Sequence, residues 1–184
     1  KMALELQEGN YLAESKIVFH KFDMKDTIHS PVYVTAIVNN LERNEFIAEI
    51  ALRSKLVTAI SVTQIKHAEI LSNLTGYLLF HGQESKKAKM AIREGLKAGD
   101  IPGVVATSIL TASADYPPLK RFIDASAGRS RNAVIQKKGR ALRLYEGELA
   151  EYHGIMDEFN DVYRNNARDC VSHFEKEGWV VEYE

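Results

Sequence analysis

The sequence of 184 residues contains a single cysteine, Cys170. That excludes an intrachain disulfide and any metal site built from several thiolates, and it fits a reducing, cytoplasmic setting. Cys170 lies among helix-forming residues and is expected to be an inert thiol, packed or at the surface. Long apolar runs are also missing. None approaches the roughly 20 residues a bilayer span requires, and the N-terminus has no apolar signal-peptide core, so no membrane partner is expected. His20 and His29 have no partner histidines at ligand spacing, so structural or surface roles are expected and no metal site. There is no internal repeat or low-complexity tract. No G-x-x-x-x-G-K-[ST] loop occurs, and no Asp–Glu pair is expected to follow a strand and hold Mg2+. A chain without these parts is not expected to bind and activate ATP alone.

What is present suits one domain with a core of its own. Hydrophobic residues make up 45% and charged residues 27% of the chain, ordinary values for a globular domain. The net charge of −1 conceals an asymmetry. Residues 120–143 hold eight Lys/Arg against the single acid Asp124, whereas residues 144–184 hold eleven Asp/Glu against Arg164, Arg168 and Lys176. Partners respond to local potential, so the basic segment can attract phosphates although the chain is nearly neutral.

Residues 1–14 read as a linker or helix tail, stopped at Gly9–Asn10, and an initial Lys suggests that an upstream portion precedes them. Lys16–Phe22 reads as a strand. Ser30–Val38 is β-rich by propensity but also compatible with a short buried helix. A helix is expected from Leu41, with Phe46, Ile47, Ile50, Ala51 and Val57 on its repeat, followed by a strand at Leu56–Val62. The next helix runs through Ala68, Ile70 and Leu71 to Gly76, and Tyr77–Phe80 follows as a buried strand. Ser85 opens a basic amphipathic helix, with Lys86, Lys87, Lys89, Arg93 and Lys97 outside and Ala88, Ala91, Ile92 and Leu96 inside, ending at Gly99. Strands are then expected at Val104–Ala106, Phe122–Ile123 and Ile155–Phe159, a helix at Asp161–Lys176 stopped by Gly178, and a last strand at Trp179–Tyr183. Strands alternating with helices predict an α/β fold, a mostly parallel sheet covered on both faces. Ligands of such sheets gather at the carboxyl ends of the strands. Thr63–Gln64, His81–Gly82 and Ala106–Ala114 all fall at such ends.

Two stretches carry chemistry. Thr107 follows a buried strand and can offer its hydroxyl and backbone N–H to a phosphate; Asp115 can accept from a ribose hydroxyl. Farther on, Gln136, Gly139, Arg140 and Arg143 form Q-x-x-G-R-x-x-R. A three-residue step puts both guanidiniums on one helix face, where they can approach one triphosphate. An arginine brought to a transferring phosphoryl group contributes about 10³–10⁵ in rate.

The order A-T-x-x-x-x-x-[small]-x-D-x-P, a strand, then Q-x-x-G-R-x-x-R resembles motifs V and VI of superfamily-two helicases. It is carried by Ala106, Thr107, Ser113, Asp115, Pro117, Gln136, Gly139, Arg140 and Arg143. Arg43–Asn44 before a helix, a strand with a hydroxyl-bearing end, and Tyr77–Gly82 ahead of a basic helix occur in the same order as in that family. From about Tyr11 to Tyr183 the chain is similar to the C-terminal RecA-like lobe of DNA translocases related to type III restriction subunits and phage branch-migration helicases. The resemblance implies a RecA-like three-layer domain over residues 15–184. It implies ATP and Mg2+ as cofactors, held mainly by an N-terminal RecA-like lobe of the same polypeptide, and DNA as partner, with RNA an alternative. Arg140 and Arg143 would be the catalytic arginine fingers. Ser113, Asp115, Gln136 and Gly139 would lie at the nucleotide, and Thr63, His81, Gly82 and Thr107 would hold the backbone of the tracked strand. The family usually has Gly where this chain has Ser113, which costs on the order of 1 kcal/mol if that position needs a positive φ. A non-catalytic nucleic-acid-binding module that keeps the fold is the competing expectation. A nucleotide-binding α/β protein unrelated to helicases is the third.

Overall fold

The computed structural model describes residues 15–24, 32–107, 119–128 and 150–184. Among them run β1 (Ser15–Phe22), a π-helical turn (Val34–Val38), α1 (Leu41–Leu52), β2 (Thr58–Ser61), α2 (Ile65–Thr75), β3 (Leu78–Phe80), α3 (Lys86–Ala98), β4 (Gly103–Ala106), β5 (Arg121–Asp124), β6 (Ala150–Asp157), α4 (Asp161–Lys176) and β7 (Val181–Tyr183). The strands form one sheet in the order β3-β4-β2-β5-β6-β1-β7, and every pairing is parallel. All strands therefore end on the same edge.

Apolar residues on both sides of the strands make two cores. One packs Ile47, Ile50 and Ala51 of α1 and Ala68 and Leu71 of α2 against Ile60, Val105, Ile123 and Ile155. The other packs Leu96 of α3 and Ala167, Val171 and Phe174 of α4 against Ala59, Val104, Phe122 and Tyr152. The alternation of Ala59 with Ile60, Val104 with Val105 and Phe122 with Ile123 between these two cores is the period-2 pleat of strands buried on both faces. The three-layer expectation holds.

Several boundaries differ from the sequence reading. The strand expected at Ile155–Phe159 runs instead from Ala150 to Asp157. Its first half carries Glu151, His153 and Gly154, which an apolar count does not detect. Gly154 is needed there, because a Cβ would stand 2.3 Å from Cε1 of Phe19 on β1. Ser30–Val38 is not a strand over its described part: Val34–Val38 is a π-helical turn with Ala36, Ile37 and Val38 buried. Ala91, expected inside α3, is exposed.

The charge reading needs a further correction. Arg121, counted in the basic segment, is 6% exposed. It donates from Nη1 to the Ile50 carbonyl (2.8 Å) and from Nε to Nε2 of His153 (3.0 Å), with Glu151 Oε2 at 3.1 Å. Nε2 of His153 also lies 3.0 Å from Glu151 Oε2, and its Nδ1 shares a hydrogen bond of 2.8 Å with Nε2 of His20. His20 and His153 are thus buried structural groups on adjacent strands. Burial first, and then the Arg121 charge, lowers the His153 pKa from 6.5 to about 2.

Candidate functional site

The carboxyl edge of the sheet brings together four of the sequence-predicted residues. Because β3, β4 and β2 are neighbours, His81–Gly82, Thr107 and Thr63 follow three adjacent strand ends and form a row. Strand spacing of about 4.8 Å makes that row roughly 10 Å long. Ser113 and Asp115 lie outside the described residues, as do Gln136, Gly139, Arg140 and Arg143. The segment holding the first pair leaves from the end of β4, and the segment holding the rest leaves from the end of β5. These strands flank β2 on either side, so both departure points border the strand that ends beside Thr63.

Many of the polar groups in the row are already engaged. The Thr107 N–H, expected to face a phosphate, donates to the Phe80 carbonyl at 3.3 Å, and the residue is 8% exposed. His81 donates its N–H to Glu84 Oε2 (2.8 Å), its Nε2 lies 3.3 Å from Glu84 Oε1, and its Nδ1 accepts from the Gln83 N–H at 3.2 Å. The Gly82 carbonyl accepts from Lys89 Nζ at 2.8 Å. Thr63 is exposed, and its Oγ1 lies 2.8 Å from the Tyr33 hydroxyl, which itself donates to the Ser126 carbonyl at 2.9 Å.

Sequence reasoning missed the turn that follows β5. Asp124, the last residue of β5, accepts at Oδ1 from the N–H (3.1 Å) and hydroxyl (2.6 Å) of Ser126 in that turn, and at Oδ2 from the Tyr152 hydroxyl. Side chains from three other segments hold the turn's carbonyls: Arg43 Nη1 on Ala125 (3.1 Å), Tyr33 on Ser126, and Asn166 Nδ2 on Ala127 (3.1 Å). Ala127 sits at φ 50, a left-handed conformation that costs a non-glycine residue roughly 1–2 kcal/mol and persists only where the surroundings impose it. The turn opens directly into residues 129–149.

Arg43 and Asn44, read as lying before a helix, occupy the first turn of α1 and are both fully buried. Asn40 caps that helix, accepting from the Arg43 N–H at 3.0 Å. Arg43 meets both oxygens of Asp157, Nε to Oδ1 at 2.7 Å and Nη2 to Oδ2 at 3.0 Å. Asn44 donates to the Val38 carbonyl, so its Oδ1 accepts from Nε2–H of His67 at 2.8 Å. Burial, then the Arg43 charge, lowers the His67 pKa from 6.5 to about 3. The signal for this cluster was in the sequence. Arg43 and Asn44 stand on the same helical stripe as Ile47, Ala48, Ile50 and Ala51, and a charge on an apolar stripe calls for a buried partner.

Asp157 is the last residue of β6, and Glu158 follows it. The two lie where the chain leaves β1 for α1 on one face and β6 for α4 on the other, the kind of switch point at which α/β sheets bind ligands. Both Asp157 oxygens nevertheless face Arg43, and Glu158 lies 3.8 Å from Arg164. Among the described residues no group of three or more His, Cys, Asp or Glu could hold a metal ion. None of their helices is long and apolar enough to cross a membrane.

Comparison with known proteins adds the family. No curated protein matches the sequence. The fold is similar to that of T4 UvsW, with a TM-score of 0.76 at 15% identity over 94% of this chain and 42% of that one. It is also similar to the C-terminal domain of the DEAD-box protein Dbp5 (TM-score 0.69, 12% identity, 93% of this chain and 89% of that one). Mycobacterium smegmatis helicase Lhr, bound to ssDNA and AMP-PNP, gives a TM-score of 0.63 at 18% identity over 92% of this chain and 23% of that one. The sheet is the RecA-like α/β sheet of helicase C-terminal domains, as the motif order implied. Residues 41–145, more than half of the sequence, match the helicase conserved C-terminal domain, and the chain belongs to that family.

Proposed function

We propose that this chain is the second motor lobe of an ATP-dependent DNA helicase or translocase of the type III restriction and phage branch-migration kind. On this reading residues 15–184 are the lobe and residues 1–14 the connection to an N-terminal RecA-like lobe. The observation that carries the proposal is the family match over residues 41–145, which spans both motif stretches and Thr63. The sheet order supports it, since the two motif segments leave from strands flanking β2. Lhr bound to ssDNA and AMP-PNP, and S. cerevisiae Dbp5 bound to RNA and ADP BeF3, support nucleotide and nucleic acid as ligands.

In this mechanism Thr63, Thr107 and the His81–Gly82 turn hold backbone phosphates, which positions a strand without reading its sequence. Arg140 and Arg143 bring positive charge to the phosphoryl oxygens of a nucleotide held across the lobe interface, with Arg143, at the end of the motif, as the finger. Ser113, Asp115, Gln136 and Gly139 line the nucleotide side. ATP supplies the transferable phosphoryl group when bound. The described residues do not fit Mg2+, because Asp157 is held by Arg43, and no step on this chain is assigned to the metal. The chain alone is then inactive as an ATPase.

The test is Arg143→Ala in the full-length protein. A fall in ATPase turnover of about 10³-fold or more is expected of a finger. An unchanged rate favours the competing reading, a non-catalytic nucleic-acid-binding module, for which Ser113 in place of the family's Gly is the specific support.

A further inference from the structure

The hydrogen bonds of Tyr33 join the row of strand ends to the turn that opens residues 129–149. Tyr33 stands at the start of the π-helical turn, and the carbonyls of that turn are fixed from α1 and its cap: Asn40 Nδ2 on Ala36 at 3.0 Å and Asn44 Nδ2 on Val38 at 2.9 Å. Its ring packs edge-on to Tyr163. The half-buried hydroxyl then reaches both Thr63 and Ser126.

Counting hydrogens settles the direction of these bonds. A carbonyl can only accept, so the one hydroxyl hydrogen of Tyr33 lies on the Ser126 oxygen. Thr63 must therefore donate to Tyr33, and its only hydroxyl hydrogen is committed. In this state the exposed Thr63 oxygen can accept but cannot donate, whereas a phosphate oxygen needs a donor. The Thr63 hydroxyl can engage a phosphate only by turning its hydrogen away from Tyr33. Tyr33 then loses a bond that polarises its own donation to Ser126, and the hold on the turn weakens, since linked hydrogen bonds strengthen one another.

We propose that Tyr33 is a positioning residue that couples phosphate contact at Thr63 to the Ser126 turn, and through it to the segment carrying Arg140 and Arg143. This rests on the motor-lobe reading for the role of Thr63 and of the two arginines. The bond between Thr63 and Tyr33 acts as a latch, closed without a strand and open with one.

The experiment uses the full-length protein, with single-stranded oligodeoxythymidylate as the probe. Anisotropy gives its affinity, and ATPase assays give the ratio of stimulated to unstimulated rate. Tyr33→Phe keeps the ring and frees the Thr63 hydrogen. Affinity should rise about two- to tenfold, the worth of one hydrogen bond, while the stimulation ratio falls toward one. Thr63→Val, a change at an exposed site, should weaken binding by a similar factor. In the Thr63→Val background, adding Tyr33→Phe should leave affinity unchanged. A merely structural Tyr33 would act equally in both backgrounds, so equal effects overturn the proposal. So does unaltered affinity and stimulation in Tyr33→Phe when the wild type is stimulated. A wild type that neither binds the strand nor responds to it overturns the motor-lobe reading itself, and the coupling falls with it.

Discussion

Arg43 lies beneath the carboxyl edge with no exposure, and its guanidinium holds both Asp157 and the Ala125 carbonyl. Removing one member of such a pair leaves an uncompensated charge in the core. Arg43→Ala should cost about 3–5 kcal/mol in urea unfolding. The double replacement Arg43→Met with Asp157→Leu should cost less than either single change, because it removes both charges; a double variant worse than both singles would sink this account. The position was legible only in part. An arginine on an apolar stripe announced a buried partner, but Asp157 lies 114 residues away. Only the adjacency of the α1 entry to the end of β6 selects it over the other acids. The same holds for the Tyr33–Thr63 contact. Thr63 was readable as a strand-end hydroxyl, whereas its commitment to Tyr33 depends on how the π-helical turn folds back over the edge.

At the scale of elements, local chemistry marks ends better than strands. The helix Asp161–Lys176 was legible in the sequence, because Asn160 caps it through the Val162 N–H at 2.9 Å and a glycine follows. Gly99 ends α3 in the left-handed conformation, φ 80, with open space around it. Gly99→Ala should therefore cost about 1 kcal/mol, seen as a small drop in the denaturation midpoint. Gly154→Ala should behave differently. Its Cβ would meet the Phe19 ring, which Tyr152 and Phe174 pack against, so a loss of about 1–3 kcal/mol is expected. Equal costs for the two substitutions would show that the β1–β6 contact yields more readily than close packing allows. β6 itself was misplaced, because Glu151 and His153 interrupt its apolar pattern. Arg121 and His20 on the neighbouring strands make those polar residues compatible with the core.

For the whole molecule, three buried histidines tie stability to pH: burial lowers the pKa of His20, His67 and His153 below the ordinary 6.5. An unfolded chain protonates them below about 6.5, whereas folded His67 and His153 hold out to about 3 and about 2. Protonating His67 would also place a hydrogen on Nδ1, which has no acceptor among the described residues. The unfolded state therefore binds more protons across that window. Stability is full above pH 6.5 and is lost as pH falls, by roughly 2 kcal/mol for each of His67 and His153 between pH 7 and pH 5. Urea unfolding at the two values measures this, and His67→Gln should remove roughly 2 kcal/mol of the loss; equal stability at pH 7 and pH 5 would contradict it. The sequence by itself determined the fold class, most helix ends and the order of the motifs, because periodicity, caps and motif spacing are local properties of the chain. Tertiary structure alone decided the strand order, the partners of Arg43 and Arg121 and the commitment of the Thr63 hydrogen. Each of these depends on which distant segments the parallel crossovers bring side by side, and no local pattern encodes that.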